Sequence, residues 1–139
     1  MQMRDHTDIR TVRPGTNLLA EFDQTFLKDA AVPKQPIRAA DGVPFGDAEV
    51  RIKLLMVADR MHMLKVYFAK GTTVPLHVHH DHSTIVRLQE GRLRVHIGDH
   101  TFLAEPGDVW QHPRGVWHNH EALEDSHVLE IKSPASKTW

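Results

Sequence analysis

The sequence predicts an all-β domain, built as a barrel or a sandwich of short strands, with an N-terminal arm and one short helix. Two β-rich runs, residues 50–58 and 61–69, begin the second part of the chain. Turn residues divide the rest of that part at short intervals: Gly71, Pro75, Gly91, Gly98, Pro106, Gly107, Pro113 and Gly115. Strands of this length and spacing are typical of barrels and sandwiches. The length of 139 residues suits a single domain of this kind.

Residues 1–49 differ from the rest of the chain, because they hold four prolines and show little strand alternation. Within them, Thr16 or Asn17 is suited to cap a short helix that ends before Pro33. Apolar residues three to four apart, which is the helical period, would form one face of that helix. They are Leu18, Leu19, Phe22, Phe26 and Leu27. We expect residues 1–49 to form an arm and a short helix packed on a barrel of residues 50–139.

Side chains two residues apart on a strand share a face, which indicates the interior of the barrel. Thr84, Val86 and Leu88 share one face of a strand. Residues 64, 66 and 68 share an apolar face of another, with His62 in line. We expect both faces to point inward.

Composition excludes several classes of function. The net charge of -1 and the scattered basic residues give no reason to expect nucleic acid or a membrane as a partner. The absence of cysteine excludes disulfides, thiolate metal sites and cysteine nucleophiles. No apolar run approaches the roughly 18–20 residues that cross a bilayer, and the N-terminus lacks the apolar stretch of a signal peptide. We therefore expect a cytoplasmic protein.

Twelve histidines, most of them in the second half, indicate a metal site. His77 and His79 are two residues apart, so both imidazoles point to the same face of a strand. Two such imidazoles can bind one metal ion at about 2.0–2.1 Å. A tight turn at Pro113 and Gly115 then directs a third imidazole, that of His118, from a distant part of the chain.

Two motifs within residues 50–133 resemble those of the cupin superfamily. The first has the spacing G-x5-H-x-H and ends at a later glycine, and it is matched by Gly71, His77, His79 and Gly91. The second has the spacing G-x5-P-x-G-x2-H, and it is matched by Gly107, Pro113, Gly115 and His118. The resemblance implies a double-stranded β-helix, the cupin jelly-roll barrel. It also implies one divalent metal ion (Fe, Mn, Ni or Zn) on His77, His79 and His118.

The sequence departs from the first motif at its glutamate, a position that falls at Thr84. His82 lies two residues earlier and could supply a fourth nitrogen, although a histidine in a loop is more often solvated. Without a carboxylate ligand, three imidazoles leave the 2+ charge of the metal unneutralised. Such a site favours an anionic or enolisable oxygen ligand in its open positions.

The last third resembles the small cupins related to the pectin-degradation protein KdgF, and this implies a small oxygenated acid as substrate. Glu130 occupies the place of an aspartate in that pattern, whereas Ser136 stands where those proteins have an arginine. His120 shares a face with His118 if the strand is regular. Glu130 and His120 are therefore the candidate catalytic residues for moving protons.

Three functions remain open at this stage, because fold alone does not choose among them. The first is Lewis-acid assisted isomerase- or lyase-type chemistry on a small oxygenated acid or sugar-derived substrate. The second is a three-His non-haem iron dioxygenase. The third is a non-catalytic module that binds or senses a small molecule. The proline-rich arm suits exchange between subunits, so we expect a homodimer.

Overall fold

The computed structural model describes residues 6–139, and its regular structure is almost entirely β-strand. In this part of the chain, the one helical segment is a 3-10 turn at Asp29–Ala31. The strands are β1 Gln35–Ile37, β2 Ala39–Ala40, β3 Val43–Pro44, β4 Val50–Val57, β5 His62–Phe68, β6 Thr73–His77, β7 Ser83–Glu90, β8 Leu93–Ile97, β9 His100–Ala104, β10 Val109–His112, β11 His118–Ala122 and β12 Ser126–Ser133. The prediction of an all-β fold is confirmed.

The strands form two main antiparallel sheets around one apolar core. The larger has the order β1-β4-β5-β12-β7-β10, the smaller has the order β6-β11-β8-β9, and β2 and β3 form a separate hairpin. Buried residues of both sheets belong to one core cluster, including Leu64 from the larger sheet and Val95 from the smaller. This arrangement fits the expected jelly-roll barrel. Among residues 6–139, no helix has the length and apolar character needed to cross a membrane.

The predicted inward faces are confirmed. Thr84, Val86 and Leu88 on β7 are all buried, as is His62 at the start of β5. On β12 the same alternation buries Glu130 together with Lys132, so two charged side chains enter the interior of the barrel.

The predicted N-terminal helix is wrong. The segment of residues 18–27 contains no helix, and its backbone instead bonds to distant strands and to the C-terminal segment. The Leu19 amide donates to the Ala135 carbonyl at 2.8 Å, and the Phe22 amide donates to the Val57 carbonyl at 3.1 Å. Leu19 and Phe22 are buried in the core, whereas Phe26 is 72% exposed. The apolar pattern therefore reflects contacts of an extended segment, not a helical face.

The N-terminal region also contributes strands to the fold. Strand β1 pairs with β4 and so extends the larger sheet. Between β2 and β3, Asp41 and Gly42 have φ of 45° and 82°, the two positive values that a two-residue type I′ turn requires. This turn brings Asp41 to the histidines described below.

Candidate metal centre

The structure brings together the three histidines that the sequence predicts as metal ligands. His77 ends β6, and His118, which begins β11, lies directly opposite it in the ladder. His79 follows two residues after His77, and all three side chains are buried. One ring nitrogen from each lies within 4.8 Å of the corresponding nitrogen of the other two. Strand pairing therefore positions these imidazoles around a single point.

Backbone carbonyls orient two of these imidazoles. The Nδ1–H of His77 donates to the Pro75 carbonyl at 2.8 Å, and that of His118 donates to the Val116 carbonyl at 3.1 Å. A carbonyl can only accept, so each Nε2 carries the lone pair. The His118 Nε2 is buried and has no hydrogen-bond partner among the described residues. A lone pair left in this way is what a metal ligand requires.

A carboxylate orients the third imidazole. The Nδ1–H of His79 donates to Oδ2 of Asp41, which lies in the β2–β3 turn. A histidine held by a carboxylate in this way is a common arrangement around protein-bound metals. Asp41 was not among the predicted site residues. The Asp41-Gly42 pair between two short β-runs is a hairpin signal, and it could have indicated this turn.

The electrostatics of the three histidines suit a cation ligand set. Burial lowers the pKa of His79 to about 2 and that of His118 to about 3, and it also lowers the pKa of His77. All three imidazoles are therefore neutral at neutral pH, and their lone pairs are available without loss of a proton. Three neutral nitrogen donors with oriented rings fit a divalent metal ion such as zinc or iron.

His82 is buried, not solvated. Its side chain is 0% exposed, its Nδ1 bonds to Oδ1 of Asp81 at 2.7 Å, and its Nε2 has no partner among the described residues. Its ring centroid lies 4.5 Å from that of His79. His82 is not part of the group of three, but it forms a second group of possible ligands with His79 and Asp41.

The larger sheet places a buried ion pair in the same cavity as the three histidines. Nζ of Lys132 lies 3.2 Å from Oε1 of Glu130 and donates to Oγ1 of Thr84 at 3.0 Å. The predicted catalytic residue Glu130 thus lines the cavity, and the Thr84 side chain accepts a hydrogen bond from Lys132. Lys132 was not among the predicted site residues, although its position two residues after Glu130 places both on one strand face. Ser136 is also buried and supplies no cation.

His120, the other predicted catalytic residue, lines the cavity as well. Its ring meets Phe68 edge-on at 4.5 Å between centroids, and neither ring nitrogen has a hydrogen-bond partner among the described residues. Burial lowers the pKa of His120 to about 3. His112, which was not among the predicted site residues, stacks on His118 with centroids 3.8 Å apart and an interplanar angle of 13°. His112 therefore helps to hold His118 in place.

The cavity has a volume of about 50 Å³ and combines these polar groups with a largely apolar wall. The apolar wall is formed by residues from both sheets, from the N-terminal strands and from the C-terminal segment: Ile37, Ala40, Phe45, Val50, Ile52, Leu64, Val66, Phe68, Val74 and Trp139. Polar groups that converge in a mostly apolar cavity are characteristic of sites for small molecules.

Comparisons with known proteins agree with this geometry. A family model described as the cupin domain matches residues 64–131. The chain is similar in structure to an RmlC-like cupin from Shewanella frigidimarina, with a TM-score of 0.69 and 19% identity over 81% of this chain and 93% of that chain. It is also similar to KdgF from a Halomonas species, with a TM-score of 0.67 and 24% identity over 80% of this chain and 94% of that chain. A third similar structure is the polyketide cyclase RemF from Streptomyces resistomycificus, with a TM-score of 0.67 and 18% identity over 82% of this chain and 81% of that chain. A search of curated proteins found no match.

Proposed function

Since this chain belongs to the cupin superfamily, we propose that it is a metal-dependent enzyme for an isomerase- or lyase-type reaction of a small oxygenated acid or sugar-derived substrate. His77, His79 and His118 would hold one divalent metal ion. The observation that carries the proposal is a single cavity in which three oriented, neutral imidazoles share the wall with a buried carboxylate and a buried ammonium group.

When bound, the metal supplies Lewis acidity, which polarises an oxygen atom of the substrate and makes the adjacent C–H bond more acidic. Glu130 then accepts a proton from that carbon and returns it to a different atom of the product in an isomerisation. Lys132 holds the Glu130 carboxylate through the contact at 3.2 Å. His120 offers its unpartnered ring nitrogens to a hydroxyl group of the substrate. The apolar wall excludes bulk water from these transfers.

The proposal is tested with the metal-loaded protein and a panel of sugar acids and keto acids, followed by proton NMR in D₂O. We expect one class of acid to exchange a C–H proton with solvent and to be converted into an isomer or an elimination product. Glu130→Gln should lower the rate by about 10²–10⁴-fold, because it removes the general base. The Glu90→Gln variant, which changes an exposed glutamate of the same sheet, is the matched control.

The same experiment distinguishes the other two functions. Oxygen consumption that depends on iron(II) would indicate a dioxygenase, whereas Lewis-acid chemistry tolerates several divalent ions. Ligands that bind and are recovered unchanged with every metal would indicate a binding or sensing module. Either outcome would replace the proposed reaction.

We also propose that the protein works in the cytoplasm as a homodimer. Ile85 and Ile131 are neighbours on adjacent strands and are both exposed, which supports an apolar contact between two copies through the larger sheet. Light scattering of the purified protein should give the mass of a dimer, and Ile85→Lys should give the mass of a monomer. A monomeric wild-type protein contradicts this assembly, and cell fractionation tests the location.

A further inference from the structure

Lys132 is an unusual residue for the interior of a barrel. Its side chain is only 3% exposed, although lysine is among the residue types that are least often buried. It stands directly opposite Thr84 in the β12–β7 ladder, which explains their hydrogen bond. A buried ion pair adds little net stability, because desolvation of the two charges offsets their attraction. Stability alone therefore gives no reason for this lysine.

The hydrogen bonding of Lys132 is incomplete. An ammonium group has three N–H donors. One donates to Oγ1 of Thr84 at 3.0 Å and a second meets Oε1 of Glu130 at 3.2 Å. Within residues 6–139, no further acceptor contacts Nζ in the structure, so one donor remains for a ligand oxygen. Lys132 lines the same cavity as the three histidines.

The charges in this cavity call for an anion. The three predicted ligands are neutral, and the Glu130 carboxylate is already paired with Lys132. The Asp41 carboxylate on His79 offsets one of the two charges of a divalent ion on the three histidines. One positive charge would therefore remain uncompensated in the cavity that Lys132 also lines. A neutral sugar cannot supply the missing charge, whereas a carboxylate can, and its oxygens can accept from the ammonium group of Lys132.

We propose that Lys132 is the anion-binding residue of the site and that it restricts the substrate to small carboxylates. This inference rests on the proposed function, because it assigns the substrate class of the same cavity. Glu130 competes with the ligand for the ammonium group, so the two charged residues of β12 have opposite effects on the binding of an anion.

The test is calorimetric titration of the metal-loaded protein with pyruvate and with pyruvamide, its neutral counterpart. In Lys132→Met, we expect the dissociation constant of pyruvate to rise at least about tenfold, while that of pyruvamide stays within about twofold. In Glu130→Gln, pyruvate should bind more tightly, because the ammonium group loses a competing anion. The exposed Lys70→Met variant is the matched control and should bind both compounds as the wild type does.

Several results would overturn the proposal. One is an unchanged pyruvate affinity in Lys132→Met, and another is an equal loss for both compounds. Weaker pyruvate binding in both Lys132→Met and Glu130→Gln would mean that the lysine only positions the glutamate. If Lys132→Met does not fold, the Lys132→Met/Glu130→Gln variant removes both charges together and should lose pyruvate binding as strongly.

Metal content is measured in every sample before the titration, and this separates the two proposals. A wild-type protein that holds no divalent metal contradicts the proposed function. In that case the same titrations are made with the metal-free protein. They still measure whether pyruvate binds more tightly than pyruvamide and whether this preference depends on Lys132.

Discussion

Replacing His120 with leucine should stabilise the metal-free protein, and the gain should grow as the pH falls. His120 is buried against Phe68, and both of its ring nitrogens lack a hydrogen-bond partner among the described residues. A buried polar group without a partner costs about 1–3 kcal/mol. Leucine has a similar volume and no polar atom, so His120→Leu removes this cost.

The pH dependence follows from the lowered pKa of His120, which is about 3 in the folded protein against about 6.5 in the unfolded chain. Above pH 6.5 the imidazole is mostly neutral in both states, and its ionisation hardly affects the free energy of unfolding. As the pH falls toward 3, only the unfolded chain takes up the proton, and the free energy of unfolding decreases. At pH 5, about 1.5 units below the unfolded pKa, this residue costs about 2 kcal/mol. The advantage of His120→Leu over the wild type should therefore increase by about 2 kcal/mol between pH 7 and pH 5.

Urea unfolding of both metal-free proteins at pH 7, 6 and 5 measures this increase. His100→Leu makes the same substitution at an exposed position next to the Gly98–Asp99 turn and is the matched control. A difference between His120→Leu and the wild type that stays constant from pH 7 to pH 5 would contradict the buried, neutral state of His120. It would mean that the imidazole is solvated or protonated in the folded protein.

Three further predictions follow from particular contacts. His82→Ala should keep nearly all of the bound metal in elemental analysis, because the group of His77, His79 and His118 does not include His82. A loss of metal as large as that of His118→Ala would show that His82 is a ligand. Thr84→Glu should leave metal affinity unchanged in a metal titration, because the new carboxylate would pair with Lys132, and tighter metal binding would contradict this. Gly91→Ala should lower stability by about 3 kcal/mol or more in thermal unfolding, because its φ is 95° and a Cβ there would overlap Ser126; an unchanged melting temperature would exclude this overlap.

Much of the fold could be predicted from the sequence because the signals are local. Alternation on β7 indicates its inward face without knowledge of the partner strands. The metal site is also indicated by local signals. These are the spacing of His77 and His79 and the turn before His118. The structure brings these three residues together as predicted.

The parts that could not be predicted depend on contacts between distant segments. The apolar residues of the expected helix instead follow an extended segment, whose amides bond to residues as distant as Ala135. A helical period alone does not distinguish these two arrangements. Lys132 is the second case. Its partner Thr84 is 48 residues away in the sequence, and their hydrogen bond can be predicted only when the pairing of the two strands is known.

The most direct test of the metal centre is elemental analysis of freshly purified wild-type protein and of two double variants. We expect about one divalent metal ion per chain in the wild type, and the loss of most of it in His77→Ala/His79→Ala. The matched control, His96→Ala/His100→Ala, removes two histidines from the β8–β9 hairpin outside the group of three and should keep the metal. Full metal occupancy in the His77→Ala/His79→Ala variant would contradict the metal centre and every step that depends on it.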